Sequence, residues 1–251
     1  MKSFLNHEKS LLTVMLQCRT PETAIGRIRN ALHSGADAFG LQIEALKPEY
    51  HNEETYKRLF SEMGDKPCYV TNYRREQNSG QTDDELAQGL ITLAECGATL
   101  CDIMGDMFCP HPEELTDNEE AIKKQMQLID KLHSMGAEVL MSSHILKFTS
   151  AEKVLEVALE QKRRGADVIK IVTGADTMEQ QIENLRIANL LKNELGAPFL
   201  FLSGGECKLL RRLGVHLGCS MCLCVYEHDT LSTPSQPLLS NMKIIRDMLD
   251  F

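Results

Sequence analysis

A single lysine interrupts an apolar run in the segment GADVIKIVTG, residues 165–174. A short apolar run between two glycines is typical of a buried strand in a parallel sheet, and an unpaired ammonium group there costs several kcal/mol. Lys170 is therefore either paired with an acidic side chain on a neighbouring strand or carries an amine whose pKa is lowered by burial. A neutral lysine amine forms a Schiff base with a ketone or an aldehyde, and this is the chemistry that the segment suggests.

Other polar residues stand in or just after neighbouring apolar runs. His144 has the intrinsic pKa of a general acid or base, and Arg74 and Arg211 are suited to bind a carboxylate or a phosphate. Plainer interpretations stay open: a structural histidine for His144 and an exposed helical arginine for Arg211. The remaining residues of this kind are Gln42, Glu44, Asp102, Asp106, Ser232 and Gln236.

Eight short apolar runs alternate with amphipathic segments of helical period along the whole chain. This pattern predicts eight strands and eight helices, the content of a closed (β/α)8 barrel in a single domain over residues 1–251. In such a barrel the polar residues at the strand ends face one mouth. Alternation within the sixth strand turns Lys170 towards the barrel interior, together with Val168 and Val172, and turns Ile169 and Ile171 towards the helices. The runs begin at residues 11, 38, 67, 99, 138, 167, 198 and 221.

Composition narrows the class of protein further. The 251 residues are 43% hydrophobic and 25% charged, and the net charge is −9. An acidic chain without clusters of Lys and Arg is not expected to bind nucleic acid or an anionic membrane surface. No apolar stretch reaches the roughly 20 residues that span a bilayer, and the N-terminus MKSFLNHEKS lacks a signal-peptide core. The sequence predicts a cytoplasmic protein.

Two groups of potential metal ligands match no strong pattern. The nine cysteines are scattered and mostly lie in apolar runs, so we expect buried free thiols, and the CxxC pair at 219 and 222 has no partner pair with zinc spacing. Four further residues are expected to be solvated loop residues rather than a metal cluster. They are Asp102, Asp106, Cys109 and His111.

Four motifs taken together resemble type I 3-dehydroquinate dehydratase. They are SSHILKF with His144, GADVIKI with Lys170, RRLGVHLG with Arg211, and STPSQP with Ser232 and Gln236. The resemblance covers nearly the whole chain. It implies a (β/α)8 barrel, usually a homodimer, that dehydrates 3-dehydroquinate, a carboxylated small-molecule ketone, through a lysine imine, without metal or cofactor.

The resemblance also implies roles for individual residues. It assigns the Schiff base to Lys170, general acid/base catalysis to His144 and carboxylate binding to Arg211. Ser232 and Gln236 correspond to residues of a loop that closes over the substrate. The arginine of the family pattern TxR, after the third strand, corresponds to Arg74.

Departures from the family pattern concern the hydroxyl-bearing side of the substrate. Where the family has ExRxD on strand 2, this chain has Gly40, Gln42 and Glu44. The glutamate that supports the catalytic histidine falls on Asn78, so we expect His144 to lack a carboxylate partner. The second acid of a DxE pair on strand 4 is replaced by Met104. Changes in several polar contacts suggest altered substrate recognition.

Two other functions remain open. GADVIKIVTGA and FLSGGECK also look like deoxyribose-phosphate aldolase, a class I aldolase, but this match covers only two short segments. The missing acidic residues would also suit a barrel that binds a shikimate-like ligand without turning it over.

Overall fold

The computed structural model describes residues 2–248, which form an α/β barrel. Each predicted apolar run contains one strand, and most strands stop short of the run's C-terminal end. Glu44, which was expected on the second strand, lies instead in a 3-10 helix over Ile43–Ala45. The strands are β1 Leu11–Leu16, β2 Ala38–Gln42, β3 Cys68–Thr71, β4 Leu100–Met104, β5 Glu138–His144, β6 Val168–Gly174, β7 Phe199–Gly204 and β8 Met221–Cys224.

Within residues 2–248, eight α-helices alternate with these strands. Helices α1 to α6 each begin after a Ser, Thr or Asn whose side-chain oxygen accepts a backbone N–H of the first turn, which is the usual N-cap. None of the helices within residues 2–248 combines the length and apolarity needed to cross a membrane. The helices are α1 Pro21–His33, α2 Glu53–Glu62, α3 Asp83–Cys96, α4 Glu119–Ser134, α5 Ala151–Arg163, α6 Met178–Glu194, α7 Leu210–Leu213 and α8 Leu239–Met248.

All strand pairs are parallel, in the order β7-β6-β5-β4-β3-β2-β1-β8. Strand β8 returns to β1 with Leu11 opposite Met221, while β7 meets the residues just before β8 through one bridge, Phe199 with Cys219. The sheet is therefore a nearly closed barrel, and the predicted fold is confirmed.

The apolar core has two layers, as alternation within the strands requires. Val168 and Val172 belong to the barrel interior, which also contains Tyr69. Ile169 and Ile171 belong to the larger layer between strands and helices. Lys170, which alternates with the interior pair, consequently points into the barrel, as predicted.

Candidate active site

Lys170 lies at the centre of a buried polar cluster inside the barrel. Its side chain is 4% exposed. Its Nζ atom lies 2.9 Å from the hydroxyl of Tyr69, 2.7 Å from that of Tyr73 and 3.1 Å from Asp102 Oδ2. Both tyrosine hydroxyls also donate to that carboxylate oxygen. Both interpretations of Lys170 therefore hold at once, because the amine is buried and paired.

The cluster shifts the protonation of its members in a definite direction. Burial lowers the pKa of Lys170 below its usual 10.5; the negative charge of Asp102 opposes this shift, and the positive charge of Arg75 adds to it. Burial raises the pKa values of Tyr69 and Tyr73 well above 10, and Asp102 raises them further. The phenols therefore stay protonated near neutral pH, while the amine loses its proton more readily than an exposed lysine.

His144, the last residue of β5, is held by a carboxylate. Its Nδ1 atom lies 2.6 Å from Glu114 Oε2, which also accepts the backbone N–H of His144 at 2.9 Å. Burial raises the pKa of Glu114, but the hydrogen bond and charge of His144 outweigh this and lower it. Because an ionised carboxylate only accepts, Nδ1 carries the proton and Nε2 is the basic nitrogen.

The pKa of His144 favours the neutral form. Burial lowers it below its usual 6.5, and the charge of Lys170 lowers it further, while Glu114 partly opposes both effects. The imidazole is therefore available as a base at neutral pH.

The finding corrects one expectation from the sequence. His144 was expected to lack a carboxylate partner, because Asn78 stands where the family has glutamate; this is wrong, since Glu114 supplies the carboxylate from the β4–α4 loop. Asn78 is buried and donates to Asn72 Oδ1 at 2.8 Å and to the Tyr73 carbonyl at 3.0 Å. Glu114 follows no strand or helix periodicity, so nothing in the sequence pattern singled it out.

Several buried hydrogen bonds hold the loop that presents Glu114. The hydroxyl of Ser143 donates to the Glu114 carbonyl at 2.6 Å. Arg164, at the end of α5, donates to the carbonyls of Gly105 at 3.0 Å and Thr116 at 2.6 Å. Gly105 leaves room for this contact, because a Cβ atom there would lie 2.4 Å from the Glu114 carbonyl oxygen. The loop is thus held from β5 and α5 in addition to hydrogen bonds among its own residues, such as that from the Thr116 N–H to the Gly105 carbonyl at 3.1 Å.

Arg74 lines the site cavity but is already paired. Its guanidinium contacts Asp83 at 2.5 Å and Asp106 at 2.9 Å. If Thr71 is the threonine of the TxR pattern, the arginine of the pattern falls on position 73. This position is occupied by Tyr73, whose hydroxyl reaches Lys170. Arg74 therefore lies one residue after the position that the pattern gives to the arginine.

Glu44 and Arg75 form a second pair beside the cluster. Arg75 donates to Glu44 at 3.2 Å, and its guanidinium carbon lies 4.9 Å from the centre of the Tyr73 ring. Glu44 also accepts the Thr71 hydroxyl at 2.9 Å. Burial raises the pKa of Glu44, and Arg75 opposes this shift. Arg75 was not anticipated as a site residue.

Gln42 is buried at the end of β2. Two residues before it, Gly40 stands where the family pattern ExRxD has its glutamate. A Cβ atom on Gly40 would lie 2.2 Å from Met15 Sδ and 3.1 Å from Tyr69 Cδ1. The space that a longer side chain would need at position 40 is therefore filled by Met15 and by Tyr69.

Arg211 lies in α7, directly after β7. It is 9% exposed, and its Nε donates to the Ser203 carbonyl at 2.8 Å. Among residues 2–248 no carboxylate forms an ion pair with it, and burial lowers its pKa from 12.5 to about 10. A buried guanidinium without a protein anion is suited to bind an anionic group of a ligand.

Ser232 and Gln236 lie in the loop after β8, as predicted. The hydrogen bonds of Ser232 stay mainly within that loop; its hydroxyl accepts the Asp229 N–H at 2.9 Å. Gln236 is buried, and its Oε1 atom has no hydrogen-bond partner.

A cavity of about 240 Å³ opens above this cluster. Larger clefts, of about 590 and 580 Å³, lie between α4 and α5 and at the opposite end of the barrel. No three His, Cys, Asp or Glu side chains converge as metal ligands anywhere in the described part of the chain. The cavity is lined by Tyr73, Arg74, Arg75, Met104, Glu114, His144 and Leu146.

Sequence reasoning missed four members of the site: Tyr69, Tyr73, Arg75 and Glu114. A signal existed for the tyrosines, since residues 69, 71 and 73 share one face of β3 and its extension. Asp102 and Asp106 were expected to be solvated, and this is wrong: both are buried. Asp102 faces inward from β4 at the depth of Lys170.

A sequence model of one protein family, described as type I 3-dehydroquinase, matches residues 12–250. The chain belongs to the type I 3-dehydroquinase family. This family comprises Schiff-base hydro-lyases, so the fold and the family expected from the four motifs are both confirmed. A search of curated proteins gives no significant match.

Solved 3-dehydroquinate dehydratases share the fold along their whole length. The protein from Geobacillus kaustophilus has a TM-score of 0.82 at 14% identity, over 99% of this chain and 95% of that one. The protein from Clostridium difficile, with covalently modified comenic acid, has 0.81 at 15% identity, over 99% and 96%. The protein from Enterococcus faecalis has 0.79 at 14% identity, over the full length of both.

Proposed function

We propose that this member of the type I 3-dehydroquinase family forms an imine between Lys170 and a carboxylated ketone and then eliminates water. The first substrate to test is 3-dehydroquinate, which would yield 3-dehydroshikimate. The observation that carries the proposal is the buried amine of Lys170, with a lowered pKa, in the same barrel mouth as a histidine held as a base. Imine formation requires a neutral amine, and elimination requires a base.

His144 is the general acid and base of this scheme. The protonated imine withdraws electrons from the neighbouring carbon, so His144 Nε2 removes a proton there and an enamine forms. The enamine electrons then expel the hydroxyl group on the next carbon, and His144 returns the proton so that water leaves. Glu114 keeps the imidazole in the required tautomer.

Arg211 binds the substrate carboxylate, because it is a buried cation that lacks a protein anion. We assign Ser232, Gln236 and Gln42 to contacts with the rest of the substrate. Arg74 and Glu44 are engaged in ion pairs, so we assign them to the shape and charge of the site wall. The wall differs from the family pattern at Gly40 and Gln42, which favours altered recognition of substrate hydroxyls.

The two alternatives have less support. The case for a barrel that only binds its ligand rested on missing acidic residues, but Glu114 and Asp102 place carboxylates beside His144 and Lys170. The aldolase interpretation rested on two short segments, whereas the family match spans residues 12–250.

The test is product analysis with purified protein and 3-dehydroquinate. Formation of a conjugated enone is followed by absorbance, and the product mass is checked for loss of water. Lys170→Met is expected to abolish turnover, while Lys66→Met, which removes a surface lysine, leaves it unchanged. Absence of enone with the unmodified protein contradicts 3-dehydroquinate as substrate; cleavage of a carbon–carbon bond supports the aldolase instead.

The family resemblance also implies a homodimer, and the composition of the sequence predicts a cytoplasmic location and no nucleic-acid or membrane partner. We propose these properties for this chain. Light scattering on the purified protein tests the dimer, and a monomeric mass at assay concentration contradicts it.

A further inference from the structure

The hydroxyl of Tyr73 occupies a special position in the buried cluster. It lies 2.7 Å from Lys170 Nζ, donates to Asp102, and lies 3.3 Å from the hydroxyl of Ser142. The Tyr73 ring also meets the His144 ring edge-on, with centroids 5.5 Å apart. One phenol thus contacts the amine and the carboxylate of the cluster and touches the histidine.

Tyr73 differs from Tyr69 in its access to the cavity. Tyr69 lies 2.9 Å from the same amine, but it is fully buried and is not part of the cavity wall, whereas Tyr73 lines it. A ketone oxygen that approaches Lys170 from the cavity therefore meets Tyr73. Tyr69 can act on such a ligand only through Lys170 and Asp102.

We propose that Tyr73 is the catalytic acid/base for imine formation, relaying protons from Lys170 to the ketone oxygen, with Asp102 as temporary acceptor and Tyr69 as a positioning residue. This role rests on the proposed function, because it requires an imine at Lys170. It assigns the first half of the reaction to Tyr73 and leaves the elimination to His144.

The protons balance through the cluster. The Lys170 ammonium group first passes one proton to Asp102. The neutral nitrogen then forms a bond to the carbonyl carbon, and the C=O electron pair moves to oxygen. This oxygen takes the phenolic proton of Tyr73 while the phenol takes a proton from nitrogen, which gives a carbinolamine.

Loss of water completes the step. The proton on Asp102 passes through Tyr73 to the carbinolamine hydroxyl, the C–O bond breaks, and the nitrogen lone pair forms the C=N bond. The iminium nitrogen keeps one hydrogen, and Asp102 is again a carboxylate beside it. Since Tyr73 gives and takes a proton each time, it never has to persist as a phenolate beside Asp102, which its raised pKa disfavours.

The test separates imine formation from elimination. Protein and 3-dehydroquinate are mixed rapidly, quenched with borohydride at set times, and the Lys170 adduct is measured by mass spectrometry. Positioned acid–base groups contribute about 10²- to 10⁴-fold, so Tyr73→Phe is expected to slow adduct formation at least 100-fold. Its apparent Kd for 3-dehydroquinate should change less than about threefold, since the ring remains in place.

Tyr69→Phe is the matched control, because it removes a hydroxyl at nearly the same distance from the amine. It is expected to shift the pH at which adduct formation is half-maximal, while the maximal rate falls less than about fivefold. Circular dichroism and urea unfolding verify that both variants fold.

The outcomes distinguish this role from the proposed function. If the unmodified protein forms the adduct and Tyr73→Phe forms it at the same rate, the role of Tyr73 is wrong while the imine stands. If both tyrosine variants lose the maximal rate equally, the relay through Tyr73 is also wrong. If the unmodified protein forms no adduct with 3-dehydroquinate, the proposed function fails and this role with it.

Discussion

At the scale of single residues, the buried charge of Arg211 lowers the stability of the folded protein when no ligand is bound. Burial lowers its pKa from 12.5 to about 10, so the charged form at pH 7 is less stable in the folded chain than in the unfolded chain. This cost to stability is expected if Arg211 is retained for the carboxylate binding proposed above rather than for stability.

Arg211→Met is therefore expected to raise the free energy of unfolding without substrate by about 1 to 3 kcal/mol. The same change should raise KM for 3-dehydroquinate at least tenfold. Urea unfolding and steady-state kinetics measure the two effects. Arg212→Met, at the exposed neighbouring arginine, is the control and should change neither quantity; a loss of stability in Arg211→Met would contradict the account.

Glu114 offers a second test at this scale. Glu114→Gln removes a charge that raises the pKa of His144, so this pKa falls further. Because the neutral imidazole is the active form, the acid limb of kcat/KM should move to lower pH, while the plateau falls about 10- to 100-fold through lost orientation.

A pH profile of kcat/KM measures both effects. Glu113→Gln is the control, because within residues 2–248 the Glu113 carboxylate forms ion pairs only with the side chains of Lys147 and Lys153, at 3.7 and 3.5 Å. An acid limb that moved to higher pH in Glu114→Gln would show that Glu114 does not act on His144 as described.

At the scale of elements, Gly40 of β2 changes the shape of the site because it has no side chain. Met15 and Tyr69 occupy the space beside Gly40, and both are buried in the barrel interior. Gly40→Ala is expected to lower the free energy of unfolding by about 1 to 3 kcal/mol, the usual cost of overpacking.

Gly26→Ala is the matched comparison, because a Cβ atom on this exposed residue of α1 meets nothing within 4 Å. It should stabilise the protein by about 0.5 to 1 kcal/mol. Urea unfolding of both variants is the measurement. Equal effects of the two substitutions would mean that Met15 and Tyr69 do not hold the space.

The elements also show what the sequence could predict. Period and alternation predicted eight strands and the inward direction of Lys170, because both follow from which side of a strand is buried. The strand-end position of His144 followed in the same way. Glu114 could not be predicted, since it reaches His144 from a loop held by Arg164 and Ser143, distant in sequence and without periodicity. Arg74 was matched to the arginine of the TxR pattern with a shift of one residue. After β3 such a shift decides which side chain faces Lys170, and here it is Tyr73.

At the scale of the whole molecule, the N-terminal segment closes the end of the barrel opposite the site. Phe4 is 1% exposed and belongs to the barrel interior, and its backbone N–H donates to Glu138 at 2.7 Å. Glu138 begins β5, while His144 ends it. The N-terminal plug, formed by Phe4, and the site therefore lie at opposite ends of the same strand.

Phe4→Ala is expected to lower the free energy of unfolding by about 3 kcal/mol or more, as large cavities in a core do. The kcat of the remaining folded protein should stay within about twofold. Urea unfolding and kinetics at low temperature measure these effects, with Ile244→Ala at an exposed position of α8 as control. A fall in the kcat of the folded protein well beyond twofold would contradict the claim that the plug and the site are independent.

The most direct test of the whole account is the site of covalent attachment. Borohydride is added to protein and 3-dehydroquinate, and the peptides are mapped by mass spectrometry. We expect one reduced adduct, on Lys170, and none in Lys170→Met. An adduct on another lysine, or none on Lys170 while enone accumulates, would contradict the claim that this buried amine carries the reaction.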